Sequence, residues 1–147
     1  MISFVRDYIS TQIVSVDPRL EQWTDAFNIE NIPSTIYDNA YHIFYSVPTM
    51  DKEQGLVDLS ISSTITLFFK ANRDVQTIFD TAMDTGNSVA IALMNVHNIQ
   101  EYNTVNDLQN YIISVDVNSV LPTNPDSNDN RVIITLDADI NIKQSIC

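Results

Sequence analysis

A helical repeat of apolar positions occupies the middle of the chain, from Arg73 to Asn98. The i, i+3, i+4, i+7 spacing predicts one long helix that buries a single stripe of its surface against a core. Gly86 lies on the predicted buried side, where glycine costs a helix about 1 kcal/mol relative to alanine. Because the stripe resumes in phase after Gly86, we expect the helix backbone to pack closely against a sheet there. The apolar positions are Val75, Ile78, Phe79, Ala82, Met83, Val89, Ala90 and Leu93.

A second amphipathic pattern with helical spacing covers Met1–Val16. Asp17–Pro18 predicts its end, because proline disfavours the helical conformation in the residue before it. Residues 17–33 have no sustained period and predict an irregular, partly packed connection. Trp23 is interpreted as part of a small apolar cluster that pins this connection, with a ligand-stacking role as the alternative.

Four later segments alternate apolar and polar residues with the period of a strand. The clearest is Val57–Phe69, whose apolar side is interrupted only by Ser63. Pro48–Gly55 is charged and predicts a hairpin loop, while Leu121–Asn130 is dense in Pro, Asn, Asp and Ser and predicts an exposed loop. The predicted segments are strands at 35–47, 57–69, 111–118 and 131–142, hairpins at 35–69 and 111–142, a polar stretch at 99–110 and a tail at 143–147.

The predicted order of elements is α, β, β, α, β, β. Two hairpins joined by a helix predict an α+β fold, a two-layer sandwich in which the central and N-terminal helices cover a four-stranded, mostly antiparallel sheet. We expect residues 1–147 to form a single domain, because this length suits one core. The uncovered sheet face is predicted to be polar and acidic, with Asp58, Asp116, Asp137 and Asp139 on it.

The charge balance limits the classes of partner. Nineteen acidic and seven basic residues give a net charge of −12, which opposes any surface that must neutralise a phosphate backbone. A protein surface with this negative charge would let DNA pass along it without adhering, because like charges repel. No signal peptide or apolar run of membrane length is found, which predicts a soluble protein that binds no membrane. Cys147 is the single cysteine, so no intramolecular disulfide is expected.

A search for catalytic motifs finds none. With two glycines in the chain, a phosphate-cradling loop is not expected, and no nucleophile or zinc motif occurs. His97 is interpreted as a cap at the end of the central helix, and His42 as an exposed or paired residue on the polar face. Asp137 and Asp139 are two residues apart, and a solvated acidic surface is favoured over an acid–base pair. No catalytic residue and no cofactor is predicted.

One segment has the opening of a calcium loop. Asp126, Asn128 and Asn130 follow the D-x-[DN]-x-[DN] pattern, and Asp137 takes the twelfth place. Arg131 stands where such a loop requires glycine, and a predicted strand rather than a helix follows. The three residues are therefore a weak candidate, and no metal site is predicted.

The layout resembles a known family. An N-terminal helix, a hairpin ending in TITLFFKAN, a long helix opening DVQTIFDTAMD and a second hairpin closing with NDNRVIITLDADINI look like the tail terminator, or tail completion, proteins of long-tailed bacteriophages. This is a likeness of layout over Met1–Ile142 rather than of one diagnostic motif.

The resemblance implies a structural virion protein at the neck of the tail, assembled in the host cytoplasm, and not an enzyme. It implies a homo-hexameric ring that docks on the tail tube protein, stops tube polymerisation and offers its other side to a head-completion or connector protein. DNA would pass through the ring without specific binding. The acidic face would border the lumen, and the two polar loops would make the axial contacts. The interface candidates are Asp51, Lys52, Glu53, Asn124, Asp126, Asn128 and Asp129.

Two alternatives stay open. One is another connector or tube subunit of a phage neck, which would share the layout. The other is a small acidic enzyme or ligand-binding module with a pocket between the sheet and Trp23. The oligomeric state separates the module from the ring.

Overall fold

The fold is seen in a computed structural model, which describes residues 2–22, 39–46, 48–53, 56–70, 75–106, 110–123 and 131–145. Within these ranges there are three helices and a six-stranded sheet. In chain order the elements are α1 (Ile2–Val16), β1 (Glu21–Gln22), β2 (Ala40–Tyr45), β3 (Thr49–Glu53), β4 (Leu56–Lys70), α2 (Val75–Met94), α3 (Val96–Asn106), β5 (Asn110–Thr123) and β6 (Arg131–Ser145).

The sheet is built around two long central strands. β4 pairs with β6 along its whole length, from Leu56 opposite Ser145 to Lys70 opposite Arg131. β5 lies on the far side of β6, while β3 and β2 pair in succession with the other side of β4. These pairings are antiparallel, and the short β1 joins β2 in parallel. The order is β1-β2-β4-β6-β5, with β3 beside the first part of β4.

The helices cover one face of this sheet, called here the inner face. Its residues come from alternate positions of β4, β5 and β6 and are buried together with the apolar stripes of α1 and α2. The predicted two-layer α+β architecture is confirmed. The largest fully buried side chains are Tyr8, Ile9, Ile13, Ile61, Ile65, Leu67, Leu93, Ile112, Ile134, Leu136, Ile140 and Ile142.

Gly86 is the point of closest approach between α2 and the sheet. A Cβ atom built on it would lie 2.8 Å from Cγ2 of Ile134 and 3.2 Å from Cγ1 of Val120. No side chain fits there without moving two β-branched residues of β6 and β5. The predicted close packing at this glycine is confirmed.

Two buried tyrosines join the three helices. Tyr8 of α1 donates a hydrogen bond of 2.6 Å to the backbone carbonyl of Leu93 in the last turn of α2. The hydroxyl of Tyr102 in α3 lies 2.9 Å from the Phe4 carbonyl and 2.8 Å from Oδ2 of Asp7, both in α1. The rings of Tyr8 and Tyr102 are 5.2 Å apart. The helical layer is therefore tied together by polar contacts as well as by apolar packing.

The predicted single central helix is wrong at its end. α2 stops at Met94, and α3 starts at Val96 in what was expected to be the same helix followed by a polar stretch. Asn95 explains the break, because its Oδ1 accepts a hydrogen bond of 3.1 Å from the Asn98 amide, the geometry of a helix N-cap. His97 consequently lies in the first turn of α3 and does not cap α2.

Three segments predicted to be irregular are strands. β3 lies in the expected hairpin loop, β1 lies in the expected connection 17–33, and β6 continues to Ser145 in the expected tail. In each case backbone pairing with a neighbour decides the conformation, as for β3, whose residues pair with Leu56–Ser60. β5 likewise extends to Thr123, into the expected loop Leu121–Asn130. The predictions for Trp23, for residues 35–38 and for residues 124–130 lie outside the described residues.

Candidate functional site: the acidic outer face of the sheet

The four aspartates predicted to share a face do so. Asp139 of β6 lies opposite Ser62 of β4 and Asp116 of β5, and Asp137 lies opposite Thr64 and Ser119. Asp58 lies opposite Lys143 in the same alternation. Residues directly opposite in a sheet point to the same side. All four aspartates therefore lie on the face away from the helices, called here the outer face.

Asp139 is held between two neutral donors. Its Oδ1 accepts a hydrogen bond of 2.7 Å from the Ser62 hydroxyl, and its Oδ2 accepts one of 2.9 Å from the Asn118 side-chain amide. These two bonds lower the pKa of the Asp139 carboxyl, because they favour its ionised form. Asp139 therefore stays charged without a basic partner.

Asp137 repeats this arrangement one row further along the strand. Its Oδ1 is 3.2 Å from the Thr64 hydroxyl, and its Oδ2 is 3.2 Å from the Ser119 hydroxyl. The β5 register shifts between Val117 and Ser119. This irregularity brings the consecutive residues Asn118 and Ser119 to the two neighbouring carboxylates, which a regular strand would not do.

The remaining two aspartates have different surroundings. Asp116 is exposed and lies opposite Asp139, an arrangement of like charges that weakens a sheet slightly. Oδ1 of Asp58 is 3.9 Å from the Lys143 ammonium group. Lys143 is thus the partner of Asp58, and within the described strands Asp116, Asp137 and Asp139 have no ion pair. The stretch of the outer face around Asp116, Asp137 and Asp139 is therefore negatively charged, whereas the basic residues Lys70 and Arg131 lie opposite each other at the far end of β4 and β6.

No family model matches the chain, and no curated protein matches it in sequence. A solved structure described as the virion of a native gene transfer agent particle contains a chain with a similar fold. That chain matches with a TM-score of 0.55 and 9% identity, over 92% of this chain and 91% of its own length. The two chains share a fold. The likeness extends over almost the whole of both chains and therefore includes both the helices and the sheet.

The outer face is not polar throughout, contrary to the prediction. At the end near Ala40, the outer-face residues Ala40, His42 and Phe68 are buried. His42 is only 3% exposed, so of the two predicted alternatives, exposed or paired, the exposed one is wrong. Burial lowers the pKa of the His42 imidazole, because desolvation disfavours the charged form. His97 is exposed, with Nε2 3.8 Å from Oε2 of Glu101.

A shallow groove of about 640 Å³ crosses the other end of the outer face. Asp51 and Asp58 lie directly opposite each other across β3 and β4 and line it, together with Ser60, Ser114 and Asn141. The sequence pattern does not predict this groove, because the residues of its β3 wall are expected in a loop. Of the other interface candidates, Lys52 and Glu53 belong to β3, whereas Asn124, Asp126, Asn128 and Asp129 lie outside the described residues, as does Asn130 of the weak calcium candidate.

Among the described residues there is no group of three or more His, Cys, Asp or Glu side chains placed to hold a metal ion. Asp137 and Asp139 each accept hydrogen bonds from neutral donors. In the same part of the chain, no helix has the length and apolar character needed to cross a membrane.

The hydrogen bonds of Asp139 predict an effect of pH on stability. The pKa is lower in the folded than in the unfolded state, so the stabilisation is complete above about pH 4 and is lost as pH falls through the lower folded value. Asp139→Asn should cost about 1 kcal/mol at pH 7 and flatten the acid side of the stability curve. Urea unfolding between pH 2 and pH 7 measures this.

Asp116→Asn is the matched control for this pH experiment. It removes the same charge from the same face, and no described residue donates to the Asp116 side chain as Ser62 and Asn118 donate to Asp139. It should leave stability at pH 7 unchanged or slightly raised, because it removes a like-charge neighbour of Asp139. Equal losses in the two variants would contradict the assignment of the effect to the Ser62 and Asn118 contacts.

Proposed function

We propose that this chain is a structural protein of a virion and that it forms the ring that closes the end of a phage tail tube. The observation that carries the proposal is the fold match over 92% of the chain to a chain of a virion particle. The sequence layout supports the finer role, because it resembles that of tail terminator proteins. In this role the chain is not an enzyme; it joins a tube to a head.

The outer face supports a position beside the DNA. The hydrogen bonds from Ser62 and Asn118 favour the ionised form of Asp139, and Asp137 accepts hydrogen bonds from Thr64 and Ser119. Neither carboxylate is paired with a cation of the described strands that DNA phosphates could displace. A fixed negative surface repels a polyanion, and the repulsion prevents the passing genome from adhering. We propose that this part of the outer face borders the lumen of the ring.

A charge reversal tests the lumen position. Asp116→Lys, at an exposed site on the outer face, should slow genome release from virions that carry it, because each subunit would then offer a phosphate contact. The delay should shrink as salt rises, since phosphate contacts are salt-dependent. Asp80→Lys, at an exposed position on α2, makes the same change in net charge away from this face and should leave release unchanged. Equal delays would contradict the lumen position.

The contacts along the tube axis are proposed to involve the groove end of the sheet. Asp51 is exposed on β3, and the groove beside it extends across to Ser114 of β5. A tail tube protein or a head-completion protein could dock there with a basic side chain between Asp51 and Asp58.

The test of the proposed function is tube length. Purified protein is added to the polymerising tail tube protein of the same virion, and tube lengths are measured by electron microscopy. A terminator should stop growth at substoichiometric amounts and appear as a ring at one tube end. Heat-denatured protein is the control. Unchanged tube lengths would contradict the terminator role.

The same experiment distinguishes a terminator from the two alternatives of the same class, a tube subunit and a neck connector. Another tube subunit would be incorporated along the tube and would lengthen it rather than end it. A connector that binds elsewhere in the neck would leave tube growth unaffected.

A further inference from the structure

The junction between α2 and α3 presents apolar side chains to solvent. Ile91 and Met94 are one helical turn apart on α2, and Val96 begins α3 immediately after the break at Asn95. Their exposed fractions are 65%, 38% and 65%. We call the surface formed by Ile91, Met94 and Val96 the elbow surface. Isolated exposed apolar residues are common, but three exposed apolar residues within six positions of one helix junction are unusual.

The elbow is held rigidly by hydrogen bonds. Asn95 caps α3 through the Asn98 amide, and the Asn98 side chain donates a bond of 3.0 Å to the Ala92 carbonyl at the end of α2. The Leu93 carbonyl accepts a hydrogen bond from the Tyr8 hydroxyl. The carbonyl groups at this helix end are therefore partly satisfied from within the chain. A surface fixed before binding loses little conformational entropy when it binds.

The elbow surface lies in the least charged part of the chain. Residues 85–100 contain no Asp, Glu, Lys or Arg, the longest such stretch in a sequence with a net charge of −12. Two copies of this chain repel each other, and the repulsion is weakest where neither surface carries charge. A basic partner would find no carboxylate in residues 85–100 to pair with, whereas a second copy can approach these residues without meeting a like charge from them.

We propose that a second copy of this chain docks on the elbow surface. The proposal rests on the proposed ring and assigns one of the two surfaces that each subunit of a ring must use, because contacts around a ring are head-to-tail. The contact buries Ile91, Met94 and Val96. Their removal from water stabilises the assembly.

This type of contact predicts a distinctive response to salt. Rising salt screens the repulsion between the −12 chains, and excluded salts such as sulfate also strengthen apolar burial. Self-association should therefore increase with ammonium sulfate. An interface built on ion pairs would weaken under the same conditions.

The experiment compares the assembly of two variants by sedimentation velocity over a range of protein and sulfate concentrations. Ile91→Asp with Val96→Asp should weaken self-association by about tenfold or more, because it places charge in a desolvated contact. Ile91→Asn with Val96→Asn should weaken it as well, and this variant adds no charge. Thermal unfolding and circular dichroism establish that each variant is folded.

Val105→Asp is the control. Val105 is 75% exposed on α3, and it lies nine residues after Val96, about half a turn round the helix. It should assemble like the wild type. If both double variants assemble as strongly as the wild type, the elbow proposal is overturned, while the proposal of a ring still stands. A wild type that is monomeric under every condition would also overturn it, while tube-length arrest would then still test the terminator role independently.

Discussion

Gly86→Val should lower the free energy of unfolding by about 3 kcal/mol, the upper part of the range for overpacked cores. The first added carbon atom would already lie 2.8 Å from Cγ2 of Ile134, a fully buried β-branched residue with little freedom to move. The two further methyl groups of valine would have to displace α2 from β5 and β6. The gain in helix propensity over glycine is only a few tenths of a kcal/mol, so the steric term decides the sign.

Asn87→Val is the matched control for Gly86→Val. Asn87 is the next residue of α2 and is exposed, and asparagine and valine have similar helix propensities. Chemical denaturation followed by circular dichroism should therefore show a near-unchanged midpoint for Asn87→Val and a large loss for Gly86→Val. Equal midpoints would contradict the close contact between α2 and the sheet.

Tyr8→Ala should cost about 3–5 kcal/mol, as for other buried aromatic side chains cut back to alanine. Tyr8 is fully buried, packs 5.2 Å from the ring of Tyr102, and bonds to the last turn of α2. Its removal leaves a cavity where α1, α2 and α3 meet. This loss is a large part of the 5–15 kcal/mol that stabilises a typical protein of this size.

Tyr8→Phe isolates the hydroxyl group. It keeps the ring but leaves the Leu93 carbonyl without its 2.6 Å donor, which should cost about 1–3 kcal/mol. Burial raises the pKa of the Tyr8 hydroxyl, so it remains a donor across the physiological range. Tyr111→Phe, at an exposed position on β5, should be neutral in the same denaturation experiment. A neutral Tyr8→Phe would show that the hydrogen bond does not stabilise the elbow.

The regular elements could be predicted because their apolar residues recur with the period of a helix or a strand and are the residues that the fold buries. The alternation from Val57 to Phe69 becomes β4, with Ser63 buried among apolar neighbours and its hydroxyl 3.4 Å from the Ala138 carbonyl. The helical stripe around Gly86 becomes α2. Both patterns involve only residues close together in the chain, so they can be recognised in one sequence alone.

The missed elements depend on contacts between distant residues. α3 buries mainly Ile99 and Tyr102 and is otherwise polar, so its helical period is faint. β3 has charged residues typical of an edge strand and forms by pairing with β4. The two-residue β1 likewise depends on its pairing with β2. Local patterns carry little information about such pairings.

The candidate site was predictable to a similar extent. Strand periodicity placed Asp58, Asp116, Asp137 and Asp139 on one face, as observed. The donors from Asn118 and Ser119 were not predictable, because they depend on the irregular register of β5. The burial of His42 was missed because the buried end of this face involves Phe68 of β4, which lies opposite Ala40, and this pairing is not visible in the alternation of β2 alone.

The central claim is that the chain assembles into a ring, and its most direct test is the mass of the purified protein in solution. Light scattering coupled to size-exclusion chromatography should be run at several protein and sulfate concentrations, with electron microscopy of the same fractions. The account predicts a closed ring near 100 kDa, six times the 16.6 kDa of one chain. A mass of one chain under every condition, with no rings on tail tubes mixed with the protein, would contradict it.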